Sequence, residues 1–282
     1  MIFITTFNKP IYQICGNELL TSFVMSKNAT AHKLVVFFEN DDDLYTENYP
    51  EWLVRWSEYE NIILVNLMNY EYKNDKIIAT LDSELASKFT NIHEYDNVRS
   101  LKWFRPVASI KYASELFDAP FCSIDADCKF TNFIDEPFFI ELFTNTNIAF
   151  LGRESFKVMR HGAYNSEGEY IMTTSAPATD ADTHTETGFI GFNTNQPGTL
   201  DFINRNFNYW VSHDVLKLKY KTDCHTFDAV RSELKLNYKN LCAVMGEISP
   251  IGSRVIEDSI LGTFLTHNKG TIGPILFYHN LI

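Results

Sequence analysis

At 282 residues, with 45% hydrophobic and 15% aromatic side chains, the chain suits one large globular domain and is too apolar to be disordered. Its formal net charge of −12 speaks against a protein that lives by wrapping nucleic acid, although an acidic chain can still hold a local basic groove. Cys15, Cys122, Cys128, Cys224 and Cys242 form no CxxC pair and read as reduced thiols of a cytoplasmic protein, and no apolar run approaches a membrane span or a signal peptide.

In chain order, "MIFITTF" reads as a buried strand. "YQICGNELLTSFVMSK" places Ile14, Leu19, Leu20 and Phe23 at helical spacing, with Gly16 weakening the first turn. "HKLVVFFEN" and "NIILVNL" are the second and third strands. "SLKWFRPVASIKYASELF" predicts a helix after Pro106, and "APFCSID" a fourth strand. "NIAFLGR" and "GFIGFNT" read as further strands, "GTLDFINRNFNYWV" and "TFDAVRSELKL" as helices. Between them, 154–185 is polar, rich in Gly and Thr and without periodicity, and is expected to be a flexible flap. In "RVIEDSILG", Glu257 and Asp258 read as the acidic start of a last helix. Strands alternating with helices imply an α/β fold whose central sheet is mostly parallel and flanked by helices, with ligands beyond the carboxyl ends of the strands.

Asp125 and Asp127, in "FCSIDADCKF", fall at such an end. In an extended segment residues i and i+2 point the same way, so the two carboxylates can reach one point. Two like charges that close repel, and a hard divalent cation removes the conflict. The competing reading is a turn with two solvated acids, but a buried-strand pattern precedes this pair.

The pair and its context resemble the DxD motif of nucleotide-sugar-dependent glycosyltransferases with the GT-A fold. "FRPVASIKYASELFDAPFCSIDAD" is similar to the segment in which a basic residue precedes the DxD strand by a helix, with Arg105 and Lys111 as candidates. "ETGFIGFNTN" is similar to the strand carrying an acid and a glycine beside the sugar, "KTDCHTFDAVRSEL" to the acceptor-side segment, and "THNKGTIG" to a His-x-Lys-Gly ending. The order of these segments is closest to small glycosyltransferases of bacteriophage genomes. The ending lacks the Lys-Pro-Trp of glycogenin-like retaining enzymes, so sugar and stereochemistry do not carry over.

The resemblance implies one GT-A domain over 1–282. About 1–130 would form the nucleotide-binding half, and 131–282 the acceptor-side half with the flap. Asp125, Asp127 and His267 would hold Mn2+ or Mg2+ on the diphosphate of a UDP-sugar. Lys269, Gly270, Arg105 and Lys111 would meet the nucleotide, Asp125 also touching it, with Thr5, Thr6 and Phe7 near the base and Arg153 near the sugar. Glu186 and Asp223 would frame the sugar and the acceptor hydroxyl, with His225 close enough to assist, in a hexosyl- or pentosyltransferase. The bland readings are a surface histidine, a solvated helix lysine, an N-cap at Asp223 and strand packing at Thr5–Phe7. For the acceptor, the resemblance to phage enzymes implies hydroxymethyl pyrimidines in phage DNA; Lys217, Lys219 and Lys221 in "LKLKYK" precede Asp223 and could touch its phosphates, against which stand the solvated-face reading of such a run and the net charge of −12. Protein, glycan and small-molecule acceptors stay open. A nucleotidyltransferase would need a third acid and usually a Gly-rich phosphate loop, and the N-terminal region has no such loop. A sugar-binding module would not need the distal histidine and lysine.

Overall fold

β1 (Ile2–Asn8) pairs in parallel with β2 (Lys33–Glu39), and β2 with β3 (Ile62–Asn66), each where a β-branched or aromatic run predicts a strand. On the other side of β1 lies β4 (Phe121–Ile124), also parallel. The structure is a computed structural model that describes residues 1–39, 49–67, 100–154, 162–164, 170–172, 183–218, 222–242 and 255–268.

The remaining strands are β5 (Cys128–Phe130), β6 (Ile148–Glu154), β7 (Gly162–Tyr164), β8 (Tyr170–Met172), β9 (Thr183–Phe192), β10 (Tyr238–Asn240) and β11 (Leu265–His267). The main sheet has the order β10-β6-β9-β4-β1-β2-β3. Among the described strands of this sheet, only β9 runs against its neighbours, β4 and β6. The β1–β2, β1–β4, β2–β3 and β10–β6 pairings are parallel. Antiparallel β9 brings its N-terminal half to the carboxyl ends of β4 and β6, which places the site. β5 and β11 form a separate antiparallel ladder.

The helices are α1 (Lys9–Ile11), α2 (Asn17–Met25), α3 (Ser100–Leu116), α4 (Glu136–Phe143), α5 (Thr199–Val211) and α6 (Asp223–Glu233). Side-chain alternation along β1 and β2 divides the core. Phe3, Phe7, Val36 and Phe38 pack with Leu19, Leu20, Phe23 and Phe139 of α2 and α4 on one face. Ile4, Val35 and Phe37 pack with Phe104, Val107, Phe202 and Val230 of α3, α5 and α6 on the other. Burial on both faces explains why these strands read as nearly continuous apolar runs.

Three sequence readings are corrected. The helix expected after Pro106 begins earlier, and Pro106 lies inside α3. Its missing N–H is tolerated there because Phe104, Val107 and Ala108 are buried on either side and hold the helix by packing. The helix expected from Tyr12 opens as a π-helical turn over Tyr12–Gly16, where a Cβ on Gly16 would sit 3.2 Å from the Phe7 ring. Glu257 and Asp258 do not start an α-helix; they lie in a turn before a 3-10 segment at Ile260–Thr263. Within 154–185, β7 and β8 form a two-stranded ladder, and the residues around it lie outside the described set. All five cysteines are buried. Among the described residues, no helix is long and apolar enough to cross a membrane.

Candidate active site

β4 ends at Ile124, and the chain turns through Asp125–Ala126–Asp127 into β5. The turn is closed by the Cys128 N–H donating to the Asp125 carbonyl at 3.1 Å, and the Asp125 N–H donates to the Gly188 carbonyl at 3.1 Å. Opposite β5, β11 brings His267 to the same place, with Cys128 as its direct cross-strand partner. His267 Nε2 lies 3.0 Å from Asp127 Oδ1 and 3.8 Å from Asp125 Oδ2. The imidazole is held from two sides. Its own backbone N–H donates to Glu257 Oε1 at 2.6 Å. Its ring lies against Gly188, where an added Cβ would be 3.0 Å from Cε1 and 3.4 Å from Nδ1. Glu257 is thus a positioning residue that sequence reading assigned to a helix start.

β9 reaches this point through a bulge. Phe150 of β6 pairs with Ile190, but the next residue, Leu151, pairs with Glu186. Thr187, Gly188 and Phe189 therefore bow away from β6 toward β4, where Phe189 pairs with Ile124. Bulges re-aim side chains, and this one brings Glu186 and Gly188 to the end of β4. Glu186 is 1% exposed.

Asp223 opens α6 but is not its cap. Thr222 caps the helix, its side chain accepting from the His225 N–H, and Asp223 Oδ1 accepts from the Cys224 N–H at 2.8 Å. His225 Nδ1 lies 2.8 Å from Thr222 Oγ1, and Cys224 Sγ lies 3.2 Å from Thr187 Oγ1 on the bulge. One turn further along α6, buried Asp228 accepts from the Thr185 N–H at 3.2 Å and from its hydroxyl at 2.5 Å. Arg231 Nη2 donates to Asp228 at 3.2 Å, and its guanidinium lies 4.6 Å from the Phe150 ring centroid. Asp228 therefore ties α6, which carries Asp223, to the residue preceding Glu186. Sequence reading missed it, because nothing local marks an acid on a helix as buried.

On β1, Thr5 and Phe7 are buried at 1% exposure. Phe7 faces Tyr12 and Trp52 at ring separations of 6.0 and 6.3 Å, and Trp56 Nε1 donates to the Tyr12 hydroxyl. Thr6 Oγ1 donates to the Phe37 carbonyl at 2.8 Å and to Glu39 at 3.3 Å, and buried Arg105 pairs with Glu39 at 3.7 Å. Lys111 pairs with Glu115 on its own helix at 2.6 Å. Arg153 is paired through its backbone with His184, its side chain lying outside the description. Lys269, Gly270, Lys219 and Lys221 lie outside the described residues, and of Lys217 only the backbone is described, at the end of a 3-10 turn.

The structure thus gathers Asp125, Asp127, His267, Glu186 and Asp223, drawn from four separate parts of the chain. Their fields overlap at Asp125, whose carboxyl is pushed up to about 7. Loss of hydration is the largest cause, followed by the charge of Asp127; His267 pulls it back down, and Asp223 and Glu186 raise it further. With 37% of the side chain still reaching solvent, burial is incomplete, and the neighbouring carboxylates push in the same direction. The Cys15 thiol, on the π-helical turn, is pushed up to about 12 by burial and then by the charges of Asp127 and Asp125. Asp125 and Asp127 lie within 4 Å of the one imidazole, and the charges of Glu186 and Asp223 also reach Asp125. Two carboxylate oxygens and an imidazole nitrogen are the donors a divalent cation takes, so the residues fit a metal.

No protein-family model matches the sequence, and no curated protein matches it. Solved structures do. An active-site mutant of LgtC is 11% identical, with a TM-score of 0.50 over 96% of this chain and 88% of that one. The apo WbbM bifunctional glycosyltransferase is 14% identical, with a TM-score of 0.50 over 86% of this chain; the match spans 38% of the WbbM chain. Apo mouse xyloside xylosyltransferase 1 is 13% identical, with a TM-score of 0.44 over 86% of this chain and 85% of that one. The fold is the GT-A fold: a seven-stranded, mostly parallel sheet with flanking helices, as in LgtC and WbbM.

Proposed function

We propose that the chain is a metal-dependent glycosyltransferase that moves a sugar from a nucleotide diphosphate donor, a UDP-sugar, to an acceptor hydroxyl. The observation that carries this is the convergence of Asp125, Asp127 and His267 at the carboxyl end of β4, with Glu186 and Asp223 beside them. The GT-A fold, which is that of glycosyltransferase neighbours, supports it.

Asp125, Asp127 and His267 would hold the ion, which when bound supplies Lewis-acid charge to a departing diphosphate. Gly188 leaves room for the His267 ring, and Glu257 fixes the backbone that carries it. Glu186, buried beside the ion ligands, would orient the sugar hydroxyls. Asp223, on the first turn of α6, would accept the proton of the incoming hydroxyl as it attacks the anomeric carbon. Thr5, Thr6 and Phe7, with Tyr12 and Trp52 alongside, would line the base end. Lys269, following β11, would spread the leaving charge. For the acceptor we take hydroxymethyl pyrimidine DNA as the reading to test first, on the strength of Lys217, Lys219 and Lys221 ahead of Asp223.

The test is calorimetric titration of UDP with manganese present and with chelator, beside a donor-hydrolysis screen of several nucleotide sugars. UDP is expected to bind strongly only with the metal, and one donor to turn over slowly without acceptor. Asp127→Asn should abolish both while leaving the thermal transition in place, since a partly exposed acid at a strand end carries little packing. Equal UDP affinity with and without metal would refute the reading.

A further inference from the structure

Cys128 follows the second aspartate and stands directly across from His267 where β5 and β11 pair. Directly opposed residues of an antiparallel pair project to the same side, so the thiol and the imidazole share a face. Asp127 turns in from the loop that precedes β5. A carboxylate oxygen of Asp127, Cys128 Sγ and a ring nitrogen of His267 all lie within 4.8 Å of one another. Donor atoms around one four-coordinate ion sit about 3.5 Å apart, so a small side-chain adjustment brings all three onto one centre. Cys128 is 1% exposed, and its recorded hydrogen bond is a 3.6 Å contact to the Gly188 carbonyl, a weak hold on a thiol.

We propose that Cys128 is a ligand of the ion, so that the site offers sulfur, nitrogen and oxygen donors and selects a thiophilic divalent ion over magnesium. This rests on the metal site of the proposed function and adds to it. Oxygen donors suit magnesium and manganese, imidazole suits zinc and its neighbours, and thiolate shifts the preference further toward zinc, cobalt and cadmium. On binding, the sulfur lone pair enters the metal bond and the S–H proton leaves to solvent, with no change of oxidation state. A divalent cation between the donor groups reverses the sign of the local field.

Cobalt(II), titrated anaerobically into the full chain with its thiols reduced, tests this without reference to activity. Ligation by a thiolate gives intense near-ultraviolet charge-transfer absorption, whereas ligation by oxygen and nitrogen alone gives only weak visible bands. One equivalent of cobalt is expected to produce the charge-transfer band in the unaltered protein, and a hundredfold excess of magnesium to leave it in place. Cys15→Ser and Cys224→Ser should keep the band. Cys128→Ser should lose it while still binding cobalt, with zinc affinity lower by at least about tenfold, the loss that even outer-shell partners cause. Cobalt uptake that depends on Asp127 but gives no band overturns the role of Cys128 and leaves the metal site standing, as does a band that survives in Cys128→Ser. No uptake at all overturns the metal site as well. If Cys128→Ser does not fold, Cys128→Ala takes its place, and a missing band in the unaltered protein overturns the role of Cys128 without either variant.

Discussion

Asp228→Ala removes the carboxylate that joins α6 to β9. The side chains of Asp228 and Arg231 are 0% and 3% exposed, so Arg231 would keep its charge in a dry site with that carboxylate gone. Removing one partner of a buried ion pair costs about 3–5 kcal/mol, and the Thr185 N–H and hydroxyl each lose an acceptor worth about 1 kcal/mol. These losses share one group and do not add, so about 4 kcal/mol is expected, a large part of the 5–15 kcal/mol that holds a typical domain. Urea unfolding with a free-energy extrapolation measures it. Asp228→Ala/Arg231→Met should recover much of the loss, because the buried guanidinium charge is removed as well and the Arg231 position against Phe150 is refilled with apolar volume. Asp228→Asn, which keeps the shape, should lower turnover more than UDP affinity, since Thr185 precedes Glu186. A cost below about 1 kcal/mol, or a double variant no more stable than the single, would refute the clamp.

In Gly188→Ala the new methyl meets the His267 ring at 3.0 Å, so metal affinity should fall by about 10–100-fold with the fold retained; unchanged affinity by calorimetry would show that the ring position does not matter. For Glu233, burial opposes ionisation, but hydrogen bonds from Arg205 and Tyr209 outweigh it and hold the pKa below the usual carboxylate value. A depressed carboxyl stabilises the fold above its unfolded pKa, about 4.3, and that contribution is lost as pH falls through the lower folded value. Glu233→Gln should therefore lower stability at neutral pH and flatten the acid limb of the stability profile, and an unchanged limb would remove the Arg205–Glu233 pair from the account. If DNA is the acceptor, changing Lys217, Lys219 and Lys221 to Gln should flatten the fall of DNA transfer with added salt while donor hydrolysis stays the same. A salt slope equal to that of the unaltered protein would mark the run as a solvated face.

The strands of the parallel half could be read from sequence because burial on both faces leaves a local mark, an apolar run bounded by turns, as in "LVVFF" and "IILV". The nearness of Asp125 to Asp127 was equally local, two residues apart, but the two acids sit on a turn closed by the Cys128 N–H on the Asp125 carbonyl and not on the extended chain that alternation assumed. Composition likewise set a globular protein, and the alternation of strands with helices set its α/β class.

Tertiary structure alone decided how these parts meet. That β9 runs antiparallel and bulges at Thr187–Phe189, so that Glu186 faces the end of β4, depends on partners distant in sequence. The same holds for Cys128 opposite His267, for Glu257 holding the His267 backbone, and for Asp228 buried against Thr185. Pro106 inside α3 gives the clearest case of local preference losing to packing, because a proline costs a helix about 3 kcal/mol and the buried residues around it outweigh that. Strand and helix periods are written over a few residues by backbone geometry. Register, sheet order and the burial of a charge are set by the whole chain closing on itself, and a single position carries no local mark of them.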